Sequence, residues 1–179
     1  PNSPRQFSVD QPVELKLTVK NVENLIVKVF ELNTENYYRT RSARLDSDIN
    51  LDGLVAHWEE TFSYQEDPQL RVERTFKFDQ LNRPGVYVID FIGNGKASRA
   101  LVRKGKLRLI SRTSVAGQIF TVFDEQKQPI PQATLWLAGT LFKPNKQGEI
   151  VVPFTNQPGR QPVVVNDGGF SSLQFFVQE

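Results

Sequence analysis

Along most of this chain, apolar and polar side chains alternate with a period of two. In "PVELKLTV", residues 12–19, Val13, Leu15, Leu17 and Val19 fall on one face, and Glu14, Lys16 and Thr18 on the other. "LRVERTFKF", residues 70–78, sets Leu70, Val72, Phe76 and Phe78 against Arg71, Glu73, Thr75 and Lys77. Only Arg74 breaks that apolar row, and a place near a rim is expected for it. Successive side chains of a strand point to opposite faces, so these segments suit sheets with one face on a core and one in water. "NLIVKVFEL", "GVYVIDFIG", "GQIFTVF", "QPVVVN" and "SLQFFVQ" add candidates, some apolar on both faces as central strands are.

Turn chemistry separates these runs. "NRPG" at 82–85, "GNG" at 93–95, "PNKQG" at 144–148, "NQPG" at 156–159 and "NDGG" at 166–169 all favour reversal. Pro presets a negative φ, whereas Gly and Asn tolerate a positive one. Many short strands so spaced predict antiparallel sandwiches. Helical candidates are nearly absent; the best is "NTENYYRTRSARLD", residues 33–46, read as a turn or two of helix or an irregular crossing.

The stretch "VFDEQKQPIPQATLWLAG", residues 122–139, shows the punctuation at work. Residues 124–128 form a polar reversal. Pro129 and Pro131 then keep the backbone extended without a donor, which suits entry to an edge strand. Ala133, Leu135 and Leu137 make one apolar row, with Thr134 and Trp136 on the opposite side.

The totals narrow the possibilities. With 39% hydrophobic and 23% charged residues, the 179-residue chain has the composition of a folded protein and room for one large or two small domains. A net charge of +2 is too small to imply nucleic acid, despite a pI near 9.0. No cysteine is present, which excludes disulfides, thiolate metal sites and cysteine nucleophiles. No apolar run approaches the roughly 18 residues of a membrane helix. The chain starts at Pro1 and holds no Met, so a fragment of a longer polypeptide is expected, with any signal peptide lying upstream. "RKGK" at 103–106 is the expected hinge, dividing the chain into residues 1–104 and 105–179. A sandwich as small as the second buries only about 60% of its unfolded surface, so it is expected to lean on its neighbour.

Two resemblances rest on these motifs. The order D-x-x-x-x-P-I-P-x-A-x-L from Asp124, a turn ending N-x-x-G at 145–148, and "IVVP" at 150–153 resembles the carboxypeptidase-regulatory-like, transthyretin-like sandwich. "VKVFELN" at 27–33 and "PGVYVIDF" at 84–91, followed by a basic strand, resemble the N-terminal macroglobulin-like domains of bacterial alpha-2-macroglobulin-like proteins. Together they imply an all-β chain of two tandem antiparallel β-sandwich domains, Ig-like or macroglobulin-like in residues 1–104 and carboxypeptidase-regulatory-like in 105–179. They further imply a large exported bacterial parent, extracellular, cell-surface or periplasmic, of a kind that traps proteases or acts structurally.

Several motifs carry chemistry on paper. "DINLDGLVAHWE", residues 48–59, fits the EF-hand loop, with Asp48, Asn50 and Asp52 at its first, third and fifth positions, Gly53 at the sixth and Glu59 at the twelfth. The next segment, "EETFSY", has strand spacing, so a polar connection leading into a strand is the competing reading. His57, the only histidine, would need Ser63 or Ser98 and an orienting carboxylate to act in a triad. The adjacent pairs Glu59/Glu60 and Glu66/Asp67 point to opposite faces of a strand, which does not suit paired acid–base work. Between Phe91 and Phe123 there is no acid, while Lys96, Arg99, Arg103, Lys104, Lys106, Arg108 and Arg112 are basic. Without interleaved aromatics such a strip reads as solvated strand faces, not a nucleic-acid surface. Trp58 and Trp136 read as core residues or as a sugar platform.

No catalytic, cofactor-binding or metal-ligating residue is assigned. The expectation is a non-enzymatic structural and interaction module, with neighbouring domains of its own chain and a protease or other envelope protein as partners. The alternative is an accessory module that binds carbohydrate or calcium.

Overall fold

A computed structural model describes residues 5–43 and 45–179. Its elements fall into two compact units, Pro1–Leu32 with Asp46–Lys104, and Asn33–Leu45 with Gly105–Glu179. The alternation produces strands throughout, and both units are β-sandwiches.

In the first unit the larger sheet has five strands. They are β1 (Gln6–Phe7), β3 (Asn24–Leu32), β4 (Trp58–Ser63), β6 (Gly85–Gly93) and β7 (Lys96–Lys104), in the order β1-β7-β6-β3-β4. The facing sheet has two, β2 (Glu14–Lys20) and β5 (Arg71–Lys77). Between them lie Val13, Leu15, Val27, Val29, Phe76, Phe78, Ile89 and Val102, each at most 6% exposed. Burying one such side chain fully contributes about 1.5–3 kcal/mol, so this inner layer dominates the unit's stability. Phe91 meets Phe76 and Phe78 with ring centroids 5.1 and 6.4 Å away. The β6–β7 hairpin closes through Asn94 (φ 48°) and Gly95 (φ 70°), the paired positive φ values of a type I′ turn.

Two details depart from the sequence reading, and a third agrees with it. β1 pairs with β7 in parallel, so the larger sheet is not wholly antiparallel. Leu70, expected in the apolar row, precedes β5 and is 55% exposed. Arg74 does fall on the inward side of β5, where its guanidinium lies 3.5 Å from the Tyr64 ring centroid and pairs with Glu66. Its charge is thereby met by a carboxylate and its plane by an aromatic face.

The second unit stacks a four-stranded sheet on a three-stranded one. The first is β10 (Thr134–Leu137), β11 (Thr140–Phe142), β13 (Gly159–Asp167) and β14 (Phe170–Gln178), ordered β11-β10-β13-β14. The second is β8 (Arg108–Ser114), β9 (Gly117–Phe123) and β12 (Ile150–Val152), ordered β12-β9-β8. Phe120, Leu135, Ile150, Val163 and Val165 are fully buried between them, and Phe176 packs edge-on to Phe120 at 4.9 Å. The polar reversal forms as expected, with Gln128 N donating to Asp124 Oδ1 at 2.7 Å. β10, however, is not an edge strand, because β11 and β13 flank it. The two prolines lie ahead of it, where they remove no donor from the ladder.

Residues 34–41 form a helix rather than an irregular crossing. Helix α1 (Thr34–Arg41) is capped by Asn33, whose Oδ1 accepts from Glu35 N at 3.2 Å. Ser42 closes it in the left-handed region (φ 47°). Glu35 pairs with Arg39 one turn on, and Arg39 and Arg41 sit at the negative end of the helix dipole. Eight residues make a marginal helix in water, so tertiary packing has to hold it. Thr34 and Tyr38, one turn apart, are the buried pair, and α1 lies on β13 and β14. Arg44, in the same stretch, lies outside the described residues.

Candidate functional site

The Asp48 to Glu59 motif does not take up calcium-loop geometry. Asn50 turns back to accept from Asp52 N at 2.8 Å, and Gly53 supplies a positive φ of 81°. The residue at the twelfth position, Glu59, lies in β4 opposite Lys28, whose Nζ is 3.0 Å from its carboxylate. A strand stands where an EF-hand needs a helix. Among the described residues, no group of three or more His, Asp or Glu is placed to hold a metal ion.

His57 stands just before β4 with an exposed ring. Its Nδ1 accepts from Glu31 N at 3.2 Å, and its Nε2 lies 3.8 Å from Glu31 Oε2. Ser63 donates instead to Asn24 Oδ1 at 2.8 Å, and Ser98 lines a cleft with Leu25 and Phe91. The three residues do not converge. Of the acidic pairs, Glu66 pairs with Arg74 and is held below the usual carboxylate range by that hydrogen bond. Asp67 Oδ1 accepts from Gln69 N at 2.8 Å in a turn.

The basic strip is divided among separate tasks. Arg99 grips Asp90, Lys104 is buried and donates to Gln11 O at 2.8 Å, and Arg112 meets Glu149 at 2.8 Å. Lys96 lies at the rim of the cleft. The tryptophans serve different units. Trp58 packs edge-on to Phe78 at 6.2 Å against the first core, and Trp136 lies under the Arg39 guanidinium, 5.9 Å away.

One marker escaped the sequence reading. Tyr87, near the start of β6, donates its hydroxyl to Arg83 O, four residues upstream, at 3.0 Å. Burial raises its phenol above the ordinary value, with Glu31 adding to the shift. A tyrosine that ties the entry of a strand to the preceding corner in this way is the tyrosine corner of immunoglobulin-type sandwiches. The spacing R-P-G-V-Y carried the signal, but only with the strand order known.

A cleft of about 480 Å³ opens in the first unit, between the C-terminal half of β2 and the start of β7. Leu17, Val19, Leu25 and Phe91 form its apolar lining, and Lys20 and Lys96 stand among its polar residues.

Comparisons with known proteins agree with this geometry. Residues 25–105 match the family model of the AbpF first immunoglobulin-like domain. Over its whole length the chain is 35% identical to Actin-binding protein F of Dictyostelium discoideum, of which it spans 8%. Among solved structures it is similar to native alpha-2-macroglobulin from Escherichia coli spanning domains MG0-NIE-MG1. That likeness has a TM-score of 0.55 at 14% identity and covers 96% of this chain and 61% of that one. The first unit is therefore an Ig-like sandwich, with macroglobulin domains as neighbours in fold.

Proposed function

We propose that this chain is a non-catalytic interaction module of a much longer polypeptide that associates with actin filaments. The observation that carries this reading is the 35% identity, sustained over the full chain, to a protein named for binding actin. The site geometry supports a contact role, since the cleft of the first unit has an apolar lining with Lys20 and Lys96 among its polar residues. Sandwich modules of this kind make contact through strand edges and sheet faces. Co-sedimentation with filamentous actin tests the reading. Saturable transfer of the chain to the pellet is expected, and a chain that stays in the supernatant at every actin concentration contradicts it.

The second reading is the exported macroglobulin-type module, touching neighbouring domains of its own chain and a protease or envelope protein. Likeness to the bacterial structure supports its architecture alone. The carboxypeptidase-regulatory-like assignment of the second unit belongs with it and rests on the motif order in residues 124–153. Binding to an immobilised protease in place of actin would favour this reading.

A further inference from the structure

The two sheets of the first unit differ in width, five strands against two. With strands about 4.8 Å apart, the larger spans roughly 19 Å between its outer strands and the smaller only about 5 Å. The narrow sheet therefore stops short of β7, and a cleft is left beside it although Leu25 and Phe91 at its base are only 2% exposed. The cleft lies there, with Leu17 and Val19 of β2 on one wall, and Leu25 and Phe91 of the larger sheet beneath. Asn94 Nδ2 donates to Asn21 O at 3.2 Å and ties the two turns at one end of it.

Among the described residues, β2 presents an open edge to the cleft at Thr18 and Lys20. Phe78 N donates to Val13 O, and the register continues 15 with 76, 17 with 74 and 19 with 72. The peptide groups of Leu15, Leu17 and Val19 thus face β5, and those of Thr18 and Lys20 face away from it. On β7, Arg103 N donates to Arg5 O, so by alternation Ala97 turns its peptide groups away from β6. The lining holds two cations, Lys20 and Lys96, and no acid. Neither lysine forms an ion pair among the described residues.

We propose that this cleft takes an extended peptide strand from a partner protein, added to β2 at Thr18 and Lys20, with apolar side chains at alternate positions and acidic residues at its ends. Main-chain pairing would supply the peptide groups of Thr18 and Lys20 with partners. Alternate side chains of the guest would lie against the half-buried Leu17, Val22 and Ser98, which widens the cover over the larger sheet. The acidic ends would meet Lys20 and Lys96. These open positions would take such a strand whether or not the parent protein binds actin, since the filament plays no part in it.

The test uses the 179-residue chain, labelled for amide NMR, and the capped heptapeptide EVTVTVE. Addition to about 1 mM is expected to shift the amides of Thr18, Lys20 and Ala97 saturably, an affinity within reach of so short a strand. The charge-reversed KVTVTVK should bind about tenfold more weakly, and the Lys20→Glu, Lys96→Glu double variant should reverse that preference. N-methylation of the peptide backbone at the valines and at the threonines should differ, one set abolishing binding and the other sparing it, because only alternate N–H groups face β2. The peptide series on the unaltered chain stands even if the double variant fails to fold. Absence of saturable shifts, shifts centred elsewhere, or indifference to both charge and N-methylation would overturn the proposal. Dilution-sensitive dimerisation through the same amides would overturn it as well, by giving the groove to a second copy.

Discussion

Arg99 meets Asp90 across one rung of the β6–β7 hairpin, its Nε 2.6 Å from Oδ1 and its Nη2 2.9 Å from Oδ2. The remaining nitrogen, Nη1, donates to Ile49 O at 2.7 Å and Ser47 O at 3.3 Å. A single guanidinium thus pins the connection ahead of β4 to the sheet, and Asp90 is only 8% exposed. A forked, charge-assisted pair of this kind is stronger than a surface ion pair. Arg99→Ala leaves a buried carboxylate without its cation and should cost about 2–4 kcal/mol. Urea denaturation of the two single variants and the Asp90→Asn, Arg99→Ala double variant checks this. The double variant should lose less than the sum of the singles.

Glu66 and Glu149 give the chain an acid-side pH dependence. Hydrogen bonds from Arg74 to Glu66, and from Arg112 and Asn145 to Glu149, hold both carboxyls below the ordinary glutamate value of 4.5. A depressed folded value means the stabilising contribution is fully present above pH 4.5 and fades as pH falls through the folded value. Carboxyl-carbon NMR titration should place both midpoints below 4.5, and Arg112→Ala should raise that of Glu149 alone. Midpoints at or above the ordinary value would contradict the ion pairs.

Gly117 occupies a position that no other residue fits. Its φ is +130°, and a Cβ built there would lie 2.2 Å from Val152 O on the neighbouring strand β12. Gly117→Ala must move that backbone or break the β9–β12 ladder, and should cost more than about 2 kcal/mol. Thermal denaturation reads this directly. A melting temperature equal to that of the parent chain would show that the register of β9 is different.

The cores should respond as close-packed interiors do. Leu135 is fully buried, so Leu135→Ala should destabilise by about 2–5 kcal/mol through lost contacts and a residual cavity. Val55, 84% exposed in the loop before β4, should tolerate alanine within about 0.5 kcal/mol.

How far these features could be read in advance depends on how local their causes are. The strands of "PVELKLTV" and "ATLWLAG" arise from a period that a short run of residues reveals, and Val13, Leu15, Ala133 and Leu135 are buried as that period requires. The Asn94–Gly95 turn is equally local, since φ preference alone selects it. The place of β10 inside its sheet was not legible, because strand order depends on β13, which lies beyond β11 and β12 in the chain. The same holds for α1. Its cap at Asn33 is a local signal, but its packing on β13 and β14 is not. The EF-like spacing misleads for the converse reason, since ligand types recur by chance while the required helices do not form around them. The cleft was least legible of all. Leu17 and Phe91 line one wall and one floor only because two sheets of unequal width face each other.

Backbone amide exchange along β2, measured residue by residue in the full chain, probes that inequality most directly. The pairing with β5 should give slow exchange at Leu15, Leu17 and Val19, and the open positions Thr18 and Lys20 should exchange fast. Uniform protection along β2 would mean that its second edge is already occupied, and the open groove together with the guest strand inferred for it would have to be abandoned.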